Sequence, residues 1–507
     1  MPGKSGKIDY KYEIILVSLL VLLAGFLRFY NIQNVGLKFY DEGVYLLEGN
    51  WFNGNVFFKY NYLSPLKPLH SFLISIGLRI FGYNDYSGLI VSAFLGTATI
   101  PIVYLIGKKL YDWKTGIIAS IILAVMGLHI IYSRAVLSEV NMTFFFSLAF
   151  LIYILATKRN NNSYFILSGI IFGLAYEVRY LAGILFLIPL IIEILQRKPA
   201  KIILKNMFLI VIPFLAVFSI GWLYYAMNGV NYLKLLCEYF GIGTSYQGSS
   251  SIFESLIMYV YFIIKTVSPI TLIFFAIGLY FVIRKLDSFI LIWLIVWVAF
   301  LFFFGHNRDR DLIPLLPALA LIAARGFSIF ESKKAASILS RIHIEPELAA
   351  VISITLILLS SLFSDANYIT FTSPYYKEAS EFLLNDGVIG TLSNNPSLVA
   401  FYTEKPADYV SDIVKNELSN FSSKEFSHVL IEDGVSGRCV PVKTMVIETL
   451  YRRVYKMDYD SWWFKASDWL FGKFNISIKK YTNQVDSVTA ERIIWIYRLG
   501  DVLKCLG

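Results

Sequence analysis

From Ile14 to Ser364 the chain repeats runs of roughly 20 residues with little or no charge, the length an α-helix needs to cross the bilayer core. Eleven spans follow, at 13–30, 86–107, 115–133, 140–157, 163–176, 180–195, 206–226, 256–283, 288–304, 312–325 and 348–364. The composition agrees. Of 507 residues 57 % are hydrophobic, 17 % aromatic and only 16 % charged, with a mean hydropathy of +0.61, a balance foreign to soluble domains of this size. The first run follows Lys4, Lys7 and Lys11 as a signal peptide would, but it has no small-residue cleavage site and ends in Arg28-Phe29-Tyr30. It reads as a retained span.

Lys and Arg set the orientation, because cytoplasmic loops hold them in excess. The N-terminal tail, Lys108-Lys109 with Lys114, Lys158-Arg159, Arg197-Lys198-Lys201-Lys205, Arg284-Lys285 and Arg325-Lys333-Lys334-Arg341 all fall on one side, which is therefore read as cytoplasmic. Between Ser163 and Leu195, Glu177-Val178-Arg179 interrupts the apolar run. Two short spans keep the Arg197–Lys205 cluster inside, whereas one long helix would reverse every later loop. An odd number of spans then puts 365–507 outside. The formal charge of +9 sits mostly in the cytoplasmic clusters, so it reports topology and not nucleic-acid binding.

The chain divides into a membrane module, 1–364, and a C-terminal segment, 365–507, with mixed charge and turn residues such as Pro374, Asn394-Asn395-Pro396 and Asp433-Gly434. Short apolar runs at His428–Ile431 and Ile493–Tyr497 read as strands, and Tyr376–Leu384 as a helix, which predicts a small extracytoplasmic α/β domain. Trp462-Trp463 and Trp469-Leu470-Phe471 suit either a surface resting on lipid headgroups or a plain core. Cys439 and Cys505 share this segment and can bridge in an oxidising space, while Cys237 has no evident partner. Asn420 and Asn475 are glycosylation sequons on the same side, a short motif that recurs by chance.

On this topology the outer face collects Asp41, Glu42, Lys67, His70, Arg134, Glu139, Glu177, Arg179, His306, Arg308, Asp309, Arg310 and Asp311. Ionisable groups at or inside the hydrocarbon are costly and mark a functional cavity by default; those in water at loop level only solvate helix ends. The first outer loop, 31–85, is long and holds two amphipathic stretches, Asp41–Phe52 and Pro68–Phe81, the second with Leu69, Phe72, Leu73, Ile76 and Leu78 as its apolar positions. Between them lies Leu63-Ser64-Pro65-Leu66-Lys67-Pro68-Leu69-His70.

Together these features resemble the GT-C superfamily of lipid-dependent glycosyltransferases, with the protein O-mannosyltransferases and the lipid A aminoarabinose transferase as the most similar branches. The residues that carry the resemblance are Asp41-Glu42 after span one, Lys67-Pro68 opening a helix that ends Ile80-Phe81-Gly82, Tyr132-Ser133-Arg134 followed by Glu139, and Arg310-Asp311-Leu312-Ile313-Pro314. It covers roughly residues 13 to 330. Leu66 stands where the aminoarabinose transferase has a glutamate, so a metal site like that enzyme's is not implied. Trp462-Trp463 is followed by Phe and Lys, not by the aspartate of the oligosaccharyltransferases, which disfavours en-bloc oligosaccharide transfer.

The resemblance implies a sugar donor on a polyprenyl phosphate of dolichyl type and an acceptor on a protein, lipid or glycan at the outer face. A hydroxyl is a poor nucleophile until a carboxylate takes its proton. Asp41 is the candidate base, its alternative role being a helix N-cap. Glu42 either orients a neighbour or occupies the first helical turn, where negative charge is favoured. Glu139 either caps its span or contacts acceptor or metal. Lys67, Arg134, Arg179 and Arg310 are candidates for the leaving phosphate, which Arg grips with parallel hydrogen bonds; Arg310 can also be a helix-end residue reaching for the interface. No cofactor has a spacing signature, and a divalent metal bridging such groups stays open.

Two other classes compete. A transporter or lipid flippase would show repeated halves and helices broken near the midplane, and no repeat is apparent. A non-catalytic scaffold accounts for the C-terminal segment but leaves Asp41, Lys67 and Arg310 without a task.

Overall fold

The computed structural model describes residues 10–55, 67–227, 231, 234, 252–304, 308–341, 343–370, 375–410, 425–432, 445–448 and 493–498. Helices make up nearly all of it as far as residue 370: α1 (Tyr10–Phe29), α2 (Tyr40–Phe52), α3 (Pro68–Phe81), α4 (Asp85–Leu110), α5 (Trp113–Ala124), α6 (Gly127–Ser133), α7 (Ser138–Arg159), α8 (Asn162–Val178), α9 (Leu187–Leu195) and α10 (Ala200–Met227) lead the order. Short polar side chains begin several of them by accepting an otherwise unpaired backbone N–H. Asn84 takes that of Ser87 at 2.9 Å, Asp112 that of Thr115 at 2.8 Å and Asn161 that of Ser163 at 2.8 Å.

Among the described residues five helices are long and apolar enough to cross a membrane: Tyr10–Asn34, Asp85–Leu110, Ser138–Arg159, Ala200–Leu223 and Asp309–Glu331. Two pairs qualify only together, Trp113–Ala124 with Gly127–Ser133, bent by 62°, and Pro269–Arg284 with Ser288–Phe302, bent by 116°. The expected spans are thus less regular than eleven straight helices. The one expected at 256–283 is two helices, Ile252–Thr266 and Pro269–Arg284, because Pro269 has no N–H to continue the first and Ser268 caps the second. The one expected at 115–133 breaks after Ala124. There the buried Arg28 guanidinium enters from α1 and donates to the Ala124 and Leu123 carbonyls at 3.2 and 3.5 Å. A charged group thereby supplies a further donor to the carbonyls at the break.

The two ends of the helical bundle differ in chemistry. At one end Lys108 pairs with Glu13 and Lys158 donates to the Lys109 carbonyl. At the other lie α2 and α3, the segment joining α6 to α7, and a 3₁₀ stretch, Asp309–Leu315, that leads into the helix Leu316–Gly326. Buried aromatics hold the middle: Trp293 meets Phe146 at 4.8 Å and Phe150 at 5.0 Å, both edge-on, locking α7 against the helix Ser288–Phe304.

Beyond residue 370 the chain forms the helix Tyr375–Asn385, a five-stranded sheet and the helix Pro396–Thr403. The strands β1 (Thr391–Ser393), β2 (Ala407–Tyr409), β3 (His428–Glu432), β4 (Met445–Glu448) and β5 (Ile493–Arg498) lie in the order β2-β1-β3-β5-β4. β1 runs parallel to β2 and β3, with Thr391 opposite Ala407 and His428; β5 is antiparallel to β3 and β4. His306, the three cysteines, both sequons, the clustered tryptophans and Leu63–Leu66 lie outside the described residues.

Candidate active site

Glu42 determines where α2 begins. Its Oε2 accepts the N–H groups of Lys38 at 2.5 Å and Phe39 at 2.8 Å, and its Oε1 accepts that of Val136 at 2.8 Å. Burial pushes its pKa up, against the pull of these three donors on the charged form. The structure therefore gives Glu42, expected as a catalytic carboxylate, a different task. It braces the first loop against the segment after α6, and both of its oxygens are occupied.

With α2 started there, Asp41 faces the 3₁₀ stretch. Arg310 Nη1 donates to Asp41 Oδ2 at 3.1 Å, and Arg310 Nε lies 3.4 Å from Glu139 Oε1. The same Glu139 oxygen accepts from Arg179 at 2.8 Å, and Arg179 Nη2 is 3.8 Å from Asp311. The result is a chain of alternating charge, Asp41–Arg310–Glu139–Arg179–Asp311. Asp41 is its open end, with 37 % of its side chain exposed against 11 % for Arg310 and less for the other three. Burial opposes ionisation of Asp41, but Arg310, Lys67 and Arg308 outweigh it and hold the carboxyl at about 2. Glu139 Oε2, by contrast, is buried with no hydrogen-bond partner among the described residues.

Lys67 immediately precedes α3 and is buried, with its ammonium donating to the Tyr45 hydroxyl and sitting 4.5 Å from the centroid of that ring. It makes no ion pair among the described residues. Burial and then Arg179 pull its pKa down to about 7, against Asp41 and Glu139. A group so poised regains its charge when an anion arrives.

Three residues fix the backbone around Arg310. Asp309 accepts the Tyr132 hydroxyl at 2.6 Å and the Arg310 N–H at 2.8 Å, while Trp297 Nε1 donates to the Asp311 carbonyl at 2.8 Å. Sequence reasoning gave none of these a role, nor did it single out Tyr45. Helical spacing held the signal for the last: Tyr45 is four residues after Asp41, so both lie on one face of α2.

Arg134, expected at the phosphate, is not brought to the cluster. Its guanidinium donates to the carbonyls of Arg28 at 3.2 Å, Tyr30 at 2.6 Å and Ile369 at 2.8 Å, tying α1 and the end of the helix Pro346–Thr370 to the turn after α6. His70 is buried, with Nδ1 3.0 Å from the Asn141 amide. Among the described residues no group of three or more His, Cys, Asp or Glu side chains is placed to hold a metal ion, and Asp41 and Glu139 are engaged by guanidinium groups. The arrangement combines an accessible carboxylate with cations beside it, which suits proton removal next to a developing anion.

The family model for dolichyl-phosphate-mannose-protein mannosyltransferases matches residues 64–225. Among solved structures, ArnT from Cupriavidus metallidurans in the apo state is similar with a TM-score of 0.60 at 12 % identity, over 83 % of this chain and 92 % of that one. The same protein bound to undecaprenyl phosphate gives 0.57 at 12 %, over 84 % and 94 %. The archaeal oligosaccharyltransferase AglB from Archaeoglobus fulgidus, in complex with an inhibitory peptide and a dolichol-phosphate, gives 0.55 at 14 %, over 83 % and 69 %. At such identities the likeness is one of fold. Comparison with curated protein sequences finds no match. The family match over residues 64–225 and the fold make the chain similar to these membrane glycosyltransferases.

Proposed function

We propose that this protein is a multi-pass membrane glycosyltransferase that moves a sugar, with inversion, from a polyprenyl phosphate of dolichyl type to a hydroxyl of a protein, lipid or glycan acceptor at the outer face. In this reading the chain crosses the bilayer eleven times, its N-terminus is cytoplasmic, and 365–507 forms an extracytoplasmic α/β domain. The acceptor oxygen attacks the anomeric carbon and gives its proton to Asp41. The bond from that carbon to the phosphate oxygen breaks, and the lipid phosphate leaves with the electron pair.

The observation that carries the reading is the 3.1 Å contact between Arg310 and Asp41 at the open end of the charge chain. A carboxyl held at about 2 is a weak base. A donor phosphate that draws Arg310 and Lys67 to itself weakens their hold on Asp41, so its basicity rises only when donor is bound. As the sugar–phosphate bond breaks the same cations meet a growing charge, and so favour the transition state over the ground state. Arg179 sits behind them, balanced between Glu139 and Asp311, and sets the charge that Lys67 meets. The family match and the lipid phosphates named for ArnT and AglB support a polyprenyl-phosphate donor.

The reading is tested with purified protein in liposomes given radiolabelled polyprenyl-phosphate sugars and candidate acceptors. Label should move from lipid to acceptor. Movement of the labelled lipid across the bilayer, with no transfer from any donor, would instead make the protein a flippase.

A further inference from the structure

We infer that the C-terminal helix Pro396–Thr403 positions Asp41, acting through the first turn of α2 by way of Ser397. The inference rests on the reading of Asp41 as the base and adds a residue class to it.

The two helices touch backbone to backbone. Gly43 lies against Ser397 so closely that a Cβ there would sit 2.6 Å from the Ser397 carbonyl carbon and 2.8 Å from the Leu398 nitrogen. Ser397 Oγ donates to the carbonyl of Tyr40, the residue before Asp41, at 2.7 Å. Further along the helix, the Tyr402 hydroxyl accepts the Leu37 N–H at 3.3 Å, on the approach to α2, and donates to Asp85 at the start of α4 at 2.8 Å. Tyr83 holds the other side by donating to the Phe401 carbonyl at 2.9 Å, with the two rings 4.8 Å apart. The helix is therefore anchored to the turn between α3 and α4 and presses on both ends of the segment that presents Asp41. Charged and titratable groups facing Asp41 are Arg310, Lys67 and Arg308, with Tyr40 beside it and Asp408 and Tyr409 of β2 next to Tyr40. A shift of α2 relative to Arg310 weakens the pairing that keeps the carboxyl ionised.

The test uses full-length protein and two substitutions of opposite kind. Gly43→Ala adds a methyl where there is no room for it, and since Ala favours a helix more than Gly, any loss cannot come from a weaker α2. Ser397→Ala removes one hydroxyl. Asp41 is labelled with a carbodiimide, which takes its proton from the acid and is then attacked by the carboxyl oxygen, near pH 5, about where an unperturbed aspartate is mostly ionised. Labelling is read by peptide mass spectrometry on protein whose melting temperature shows it folded. Both variants should label Asp41 faster than wild type, about tenfold for a pKa rise of one, and should lower kcat at unchanged donor KM. Labelling at the wild-type rate in both, while Arg310→Ala labels faster, overturns the positioning role and leaves the base intact. If Arg310→Ala also labels as wild type, the Asp41–Arg310 pairing itself fails and the functional reading falls with it.

Discussion

Arg310 touches Asp41 at 3.1 Å through one nitrogen of its guanidinium, while another nitrogen lies 3.4 Å from Glu139. One side chain therefore links the accessible carboxylate to the buried one, from a backbone that Asp309 and Tyr132 hold in place.

Arg310→Ala should lower kcat/KM for the donor by about 10- to 100-fold, the worth of one or two charge-assisted hydrogen bonds to phosphate. It should also change the pH profile. Asp41 in the intact site stays ionised down to about 2, so transfer shows no acid limb at ordinary pH. Without that guanidinium the carboxyl titrates higher, and an acid limb should enter the profile. Donor kinetics across pH check both.

Lys67 makes the opposite prediction at the alkaline side. Its folded pKa lies near 7, below its ordinary 10.5, so the ammonium is charged in the free enzyme below about 7 and neutral above it. Donor kcat/KM should fall as pH rises through that value, and Lys67→Met should be weaker but flat there. For stability the sign is reversed. Between about 7 and 10.5 the unfolded chain holds the extra proton, so wild-type stability should rise with pH across that window, and the Lys67→Met melting temperature should lose that rise.

Arg134→Ala should cost stability and spare the donor. Three backbone carbonyls lose their donor, a cost of about 1–3 kcal/mol, read as a lower melting temperature. Donor KM in the folded fraction should match wild type.

Glu42→Gln should behave in the same way for a different reason. An amide NH₂ replaces one of two oxygens that face only N–H groups, so a donor meets a donor, at about 1–3 kcal/mol. Thermal unfolding in detergent checks it.

Much of the frame was legible in the sequence. The stretch Pro68–Phe81 is a helix with those bounds, Asp41–Phe52 gains only Tyr40, and the strands at His428 and Ile493 run one residue beyond the expected ends. These elements carry local signals: a proline at a first turn, apolar spacing, β-branched runs. The broken helices were not legible. What bends α5 into α6 is accompanied by Arg28, about a hundred residues away, whose hydrogen bonds no local pattern records. In the cluster, residue type and the resemblance singled out Asp41, Lys67, Glu139, Arg179 and Arg310, because charge near hydrocarbon is costly enough to stand out. It could not separate Arg134 from them, since an arginine bonded to carbonyls and one facing a carboxylate look alike in sequence. Nor could it find Ser397, a neutral residue whose importance comes from the closeness of Gly43 some 350 positions earlier.

The central claim is that Asp41 takes the acceptor's proton. Single-turnover transfer of labelled sugar from polyprenyl phosphate, measured for wild type and for Asp41→Asn at saturating donor, tests it most directly. The account predicts that Asn, which keeps the shape but cannot accept the proton, slows the chemical step by about 10²- to 10⁴-fold while donor binding holds or tightens, because Arg310 is released from its partner. Transfer by Asp41→Asn at the wild-type rate would contradict it.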